Sequence, residues 1–136
     1  MATHDLTFGV FVPQGWKMEL VSIEDPQAKW AKAVEVAKLA EELGFDSLWV
    51  YDHFHNVPVP AHETMFECWT TMAAISQVTS RIKLGQMVGC APYRNPALLA
   101  KITSSIDVMR FTACRTTCSA LRSIIRSSDW VRIPPG

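Results

Sequence analysis

Asp52 and His53 stand side by side where an apolar run, Ser47-Leu48-Trp49-Val50-Tyr51, gives way to titratable side chains, with Phe54 and His55 following. An imidazole titrates near neutrality and exchanges protons at working pH, and a neighbouring carboxylate can orient it. The pair is therefore a candidate proton donor or acceptor with its support. Other chemistry-bearing residues are scattered. His55 and His62 flank a proline-containing loop with no third ligand at metal spacing, and read as solvated. Cys68, Cys90, Cys114 and Cys118 are an even count. Without a secretory leader a disulfide framework is not expected, and Cys114-x3-Cys118 has no second Cys/His pair to complete a zinc site, so no metal is expected. Cys90 reads as a small buried residue at a strand end. Arg94, just before a helix start, suits a phosphate or open solvent.

The elements that must position these residues follow from periodicity. Leu6 to Val12 is rich in β-formers and closed by Pro13-Gln14-Gly15, which predicts a first strand and turn. Asp25-Pro26 reads as a helix cap followed by a first-turn proline. Trp30, Ala33, Val34, Ala37 and Ala40 then recur at helical spacing, with Lys29, Lys32, Lys38, Glu41 and Glu42 mostly on the other side. Gly44 ends that helix, and the strand carrying Asp52 and His53 begins near Ser47. Thr64-Met65-Phe66-Glu67 matches a capping box, predicting a second helix from there with Phe66, Trp69, Met72, Ala73 and Ser76 buried. Ile82 to Val88 predicts a third strand. Asn95-Pro96 opens a third helix whose apolar face is Leu99, Ile102, Ile106 and Met109.

Strand and helix thus alternate three times, the signature of a parallel sheet with crossover helices. After the first strand, Gly9 to Gly15 forms neither a dinucleotide fingerprint nor a P-loop. The leading reading is α/β, an incomplete (β/α)8 TIM barrel comprising its first three βα units. In such a barrel the loops after the strands form the active-site face, and Asp52 and His53 fall there. Trp16, after the first strand, falls on the same face and is a candidate for lining a substrate pocket. Trp30, Trp49 and Trp69 fall on predicted core faces.

The 136 residues carry 13 basic and 13 acidic side chains, so zero net charge gives no general argument for nucleic acid, an anionic membrane or an acidic substrate. No stretch approaches the length of a membrane span and no leader pattern opens the chain, so the expected location is cytoplasmic. The balance is uneven. Residues 110–136 hold five arginines against the single acid Asp129, a net +4, leaving −4 on the remainder. Two regions are therefore expected: a barrel portion over 1–109 and a poorly ordered basic tail over 110–136. Segment 119–126 has the composition of a basic helix but no nucleic-acid-binding motif.

Several stretches, in order, resemble the N-terminal part of the bacterial luciferase-like monooxygenase family, especially its deazaflavin-dependent (coenzyme F420) branch. They are Phe8-Gly9-Val10-Phe11, Ala40 to Trp49, Tyr51-Asp52-His53-Phe54, Thr79 to Gly85, Tyr93-Arg94-Asn95-Pro96-Ala97 and Ser104 to Met109. The resemblance implies a barrel binding F420, or alternatively FMN, at the carboxyl ends of its strands, and hydride transfer or oxygenation on a small molecule. It implies homo-oligomers among full-length members. It makes His53 the catalytic proton partner, with Asp52 orienting the imidazole or contacting the ring. It further implies a non-prolyl cis peptide near Met87-Val88, so that Met87, Val88, Gly89 and Cys90 lie close to the cofactor. After Met109 the family pattern of a small residue followed by Gly-Gly-Arg is replaced by Arg110-Phe111-Thr112-Ala113-Cys114, as a frameshift or an alternative C-terminus would produce. Three βα units leave strand edges unpaired and an inner face uncovered. The chain alone is therefore expected to be unstable and weakly active or inactive, with a non-catalytic fragment that pairs with a partner chain as the alternative.

Overall fold

In the computed structural model, residues 6–58 and 61–110 are described. Three strands, β1 (Gly9–Phe11), β2 (Ser47–Val50) and β3 (Lys83–Gln86), alternate with three helices, α1 (Pro26–Glu42), α2 (Cys68–Ser76) and α3 (Pro96–Met109). The sheet is parallel in the order β1-β2-β3, with Gly9 beside Ser47 and Ser47 beside Lys83. This is the α/β arrangement expected. The predicted tail, the Cys114/Cys118 pair and segment 119–126 lie outside the described residues, apart from Arg110.

Local signals account for most element ends. Asp25 accepts hydrogen bonds from the N–H groups of Gln27 and Ala28 at 3.3 and 2.9 Å, with Pro26 at the first helical position. Gly44 adopts φ 83°, and Phe45 N–H donates to Ala40 O at 3.0 Å, closing α1 just before β2. Asn95 caps α3 through Ala97 N–H at 2.9 Å. Glu41 at the end of α1 reaches the turn before β3, where its carboxylate accepts the backbone N–H groups of Ser80, Arg81 and Ile82.

The core lies between the sheet and the helices. Val12, Leu48, Val50 and Leu84 pack against Ala33, Ala37 and Ala40 of α1 and Trp69, Met72 and Ile75 of α2. The small side chains of α1 and the larger ones of α2 fill this layer together.

Strand β1 spans Gly9–Phe11 rather than Leu6–Val12, and four further placements differ from the sequence expectation. Helix α2 begins at Cys68 rather than in a capping box at Thr64, because Glu67 is itself the cap and accepts from Thr70 N–H at 2.7 Å. The preceding residues are held extended by Gln14, whose C=O accepts Phe66 N–H at 2.9 Å and whose side-chain amide donates to Phe66 O at 3.1 Å. Lys29, expected on the solvated side of α1, is buried and paired with Glu63. The Lys29 hydrogen bond holds the Glu63 carboxyl below its ordinary range. Strand β3 stops at Gln86 rather than Val88, where the Met87–Val88 peptide is cis. Trp49 lies on the sheet face opposite the helices, since Leu48 and Val50 take the helix side and alternation leaves Trp49 the other. There its indole crosses both neighbouring strands: a Cβ on Gly9 would come within 2.5 Å of its ring nitrogen and one on Gly85 within 2.7 Å of its ring carbons. Trp49 Nε1 donates to Ser47 Oγ at 2.9 Å, fixing that pose.

Candidate functional site

The same alternation sorts the residues at the end of β2. Tyr51 and His53 continue the face of Ser47 and Trp49, and Asp52 continues the face of Leu48 and Val50. Ring contacts on the inner side form a column. Phe11 and Tyr51 stack with centroids 4.2 Å apart and planes 2° from parallel. Trp16 meets Tyr51 at 4.3 Å and 45°, and His53 lies flat on Trp16 at 4.4 Å and 9°. Lys17 Nζ sits 5.0 Å from the Trp16 ring centroid. His53 therefore has a packed neighbour on one face and remains half-buried. Burial, followed by the Glu19 charge, pushes the Tyr51 hydroxyl pKa above its ordinary value, so the phenol stays protonated at neutral pH.

Gln14 underpins this end of the sheet. It is fully buried; its amide oxygen accepts Tyr51 N–H at 2.5 Å and its amide nitrogen donates to Tyr51 O at 3.2 Å. The side chain so continues the β1–β2 ladder past Val12, whose N–H donates to Trp49 O at 2.9 Å.

Asp52, only 2% exposed, faces the helix side. Arg94 grips it with two parallel hydrogen bonds, Nη1 to Oδ2 at 2.7 Å and Nη2 to Oδ1 at 2.8 Å. Oδ2 also accepts Cys90 N–H at 2.9 Å. The same Arg94 Nη2 donates to Glu67 Oε1 at 2.6 Å. The expectation that Asp52 orients the His53 imidazole is corrected by this geometry, because both carboxylate oxygens are engaged by Arg94 and the Cys90 amide on the other side of the sheet. Arg94 is likewise neither a free phosphate ligand nor a surface arginine. Its pKa is raised above its ordinary value, first by the hydrogen bond to Asp52 and then by that to Glu67, so it stays charged at any working pH. For Glu67, burial raises the carboxyl pKa, but hydrogen bonds from Thr70 and Trp69 N–H and from Arg94 outweigh it and leave the pKa lowered. Burial, with Asp52 and Glu67 nearby, pushes the Cys68 thiol up to about 12, which makes it an inert packing group.

Residues 87–90 follow β3 directly, beginning with Met87 N–H donating to Val50 O at 2.9 Å. Val88 is 71% exposed and Met87 45%, while Cys90 is a half-buried free thiol. A side chain on Gly89 would come within 2.3 Å of the Gln86 amide, so the chain turns here close against that side chain. This exposed stretch at the carboxyl end of β3, with the aromatic inner face that ends at His53, could hold one side of a flat ring system. Among the described residues no three His, Cys, Asp or Glu side chains converge as a metal site. No helix among them is long and apolar enough to cross a membrane. A groove of about 560 Å³ between α2 and α3, lined by Trp69, Ile102, Ile106 and Met109, lies on the helix side, away from the face that carries His53.

The sequence brought His53, Trp16 and residues 87–90 to one end of the sheet, and the structure places them there. It did not reveal Gln14, Glu67 or the Arg94–Asp52 pair. Strand parity was the available signal for Asp52, since it shares the parity of Leu48 and Val50. Nothing local marks Arg94 as its partner, 42 residues away.

Comparison with known proteins assigns the chain to a family. The sequence model of the luciferase-like monooxygenases matches residues 6–109, and the chain belongs to that family. It is 34% identical over 103 residues to the 5,10-methylenetetrahydromethanopterin reductase of Methanolobus tindarius, covering 75% of this chain and 25% of that protein. Among solved structures, it is similar to an F420-dependent secondary alcohol dehydrogenase in complex with an F420-acetone adduct. There the TM-score is 0.52 at 30% identity, over 71% of this chain and 26% of that one. The oxygenating constituent of 3,6-diketocamphane monooxygenase from Pseudomonas putida, in complex with FMN, shares the fold with TM-score 0.56 at 20% identity, over 76% of this chain and 26% of that one. The chain thus spans about a quarter of the length of the relatives it matches.

Proposed function

We propose that this member of the luciferase-like monooxygenase family supplies the first three βα units of a deazaflavin (F420)-dependent oxidoreductase that acts on a small organic substrate. The observation that carries this reading is His53, stacked on Trp16 at the carboxyl end of β2, with the exposed residues Met87, Val88 and Gly89 at the end of the neighbouring strand. Met87, Val88, Gly89 and Cys90 would hold one side of the ring, and Asp52 contributes by fixing the Cys90 amide. The cofactor, when bound, supplies hydride transfer. His53 holds or releases the substrate-side proton at an imidazole nitrogen, Trp16 sets the tilt of that imidazole, and the aromatic wall of Phe11, Tyr51 and Trp16 keeps water from one side. F420 is favoured because it is named for the secondary alcohol dehydrogenase at 30% identity and for an F420-dependent glucose-6-phosphate dehydrogenase of Amycolatopsis mediterranei at 36% identity, while FMN stands as the second cofactor.

A chimera tests the reading: residues 6–109 of this chain joined to the remaining three quarters of the Methanolobus tindarius relative. Saturable deazaflavin fluorescence quenching and hydride transfer are expected, with His53→Ala lowering kcat by about a hundredfold while the binding constant stays within about threefold. A chimera that binds neither F420 nor FMN overturns the cofactor assignment, and full activity of His53→Ala overturns the role of His53. The chain by itself is expected to be weakly active or inactive. A second reading, a non-catalytic barrel fragment awaiting a partner chain, is favoured by the sheet itself. Among the described residues β1 and β3 each pair on one side only, and the inner aromatic face is half-exposed.

A further inference from the structure

We propose that Arg94 is a positioning residue that acts through Asp52, just past β2, to fix the Cys90 end of residues 87–90 at the carboxyl end of β3. Its significance for a bound ring rests on the function proposed above, but the positioning itself does not.

The contacts form a closed circuit. Asp52 Oδ2 accepts both Cys90 N–H at 2.9 Å and Arg94 Nη1 at 2.7 Å, so one oxygen joins the two ends of a five-residue segment. Between them Ala91–Tyr93 makes a 3-10 turn, with Tyr93 N–H donating back to Cys90 O at 3.1 Å. Residues 90–94 therefore wrap around a single buried carboxylate. On the outer side Tyr93 stacks on Phe54, centroids 4.1 Å apart, which ties the turn to the chain just beyond Asp52. Arg94 is anchored independently of this circuit by Glu67 Oε1 at 2.6 Å, and its guanidinium carbon lies 5.9 Å from the Trp69 ring centroid. Glu67 and Trp69 belong to the start of α2, so Arg94 sets the turn after β3 against a rigid helix end.

The physics assigns the direction of control. A carboxylate this buried keeps its charge and its orientation only with a paired cation. The planar fork of arginine fixes the carboxylate plane through two parallel bonds, which a lysine ammonium cannot do. With the plane fixed, Oδ2 stands in line for Cys90 N–H. With it free, that amide loses its aligned acceptor, while the other end of the segment stays tied by Met87 N–H to Val50 O.

Amide hydrogen exchange resolved by NMR on the whole chain tests this. Four proteins are compared: wild type, Arg94→Met, Arg94→Lys and Glu67→Gln. The Cys90 amide in wild type is expected to exchange at least about tenfold more slowly than an unstructured amide, and Arg94→Met to remove that protection. Arg94→Lys is expected to restore less than half of it on a logarithmic scale. Glu67→Gln is expected to speed exchange at Thr70 while leaving Cys90 within about twofold, because the Asp52 grip persists. A merely structural arginine would move Leu48 and Ile75 as far as Cys90. That result overturns the proposal, as does an unprotected Cys90 amide in wild type or an unchanged one in Arg94→Met. Protection that depends on Arg94, together with a chimera that binds no deazaflavin, supports the positioning role and counts against the cofactor reading alone.

Discussion

His53 lies flat on the indole of Trp16, ring centroids 4.4 Å apart, while Asp52, one residue earlier, is held on the opposite side of the sheet by Arg94. Adjacent residues in extended chain diverge, so the two members of the sequence motif do separate work: one presents a titratable ring to the inner face, the other anchors a turn. Their stability costs should separate as well. Asp52→Asn leaves Arg94 buried with half of its charge partners and is expected to cost about 3 kcal/mol. His53→Ala removes one partly exposed stacking contact and is expected to cost about 1 kcal/mol or less. Urea denaturation of the two variants distinguishes them, and equal costs would contradict the assignment of faces.

Trp49 occupies the space that side chains at positions 9 and 85 would need. Gly85→Ala is expected to destabilise by about 1–3 kcal/mol through overpacking against the ring. The same change in a Trp49→Leu background should be close to neutral, since the obstructing ring is gone. Denaturant midpoints of the two single variants and the double variant give the coupling. Simple additivity would show that Trp49 does not lie across β3.

Much of the fold was legible because its signals are local. Asp25-Pro26, Gly44 and Asn95-Pro96 mark helix ends through backbone geometry and capping chemistry that only neighbouring residues determine. The apolar run of β2 and its titratable end located one half of the site. What stayed hidden depends on distant partners. Thr64 to Glu67 satisfies a capping pattern, yet Gln14, 52 residues from Phe66, holds this stretch extended and delays the helix. Lys29 reads as solvated until Glu63 is brought to it, and Arg94 reads as a surface residue until it meets Asp52. Trp49 reads as a core residue by its size, yet its parity, opposite to that of Leu48 and Val50, puts it on the other face.

Gln14 provides a further test of those distant contacts. Its amide bonds to Tyr51 N–H, Tyr51 O and Phe66 O, so a shorter side chain leaves three backbone groups without their partners. Gln14→Ala is expected to cost about 2–4 kcal/mol, combining unsatisfied polar groups with a cavity. Gln14→Glu keeps the acceptor for Tyr51 N–H but sets an oxygen against two carbonyls, and is expected to be at least as harmful at neutral pH. Thermal melts followed by circular dichroism check both. Wild-type stability in Gln14→Ala would mean that the ladder does not depend on this side chain.

Acid should weaken the junction between α1 and β3 through Glu41. Burial alone would raise its carboxyl pKa, but the backbone N–H groups of Ile82, Arg81 and Ser80, with the Arg81 charge, outweigh that and lower it below its ordinary value near 4.5. A group whose pKa is lower folded than unfolded stabilises fully above the unfolded value, and the contribution is lost as pH falls through the folded one. Glu41→Gln keeps one acceptor oxygen but no charge, so it is expected to cost about 1–2 kcal/mol at pH 7. The gap between wild type and Glu41→Gln should hold steady down to about pH 5 and close progressively below about pH 4.5, where wild type takes up the proton that the amide mimics. Urea midpoints for both proteins from about pH 3 to pH 7 follow the gap. A gap that stays constant or widens in acid would mean that the charge on Glu41 does not hold the Ser80–Ile82 turn.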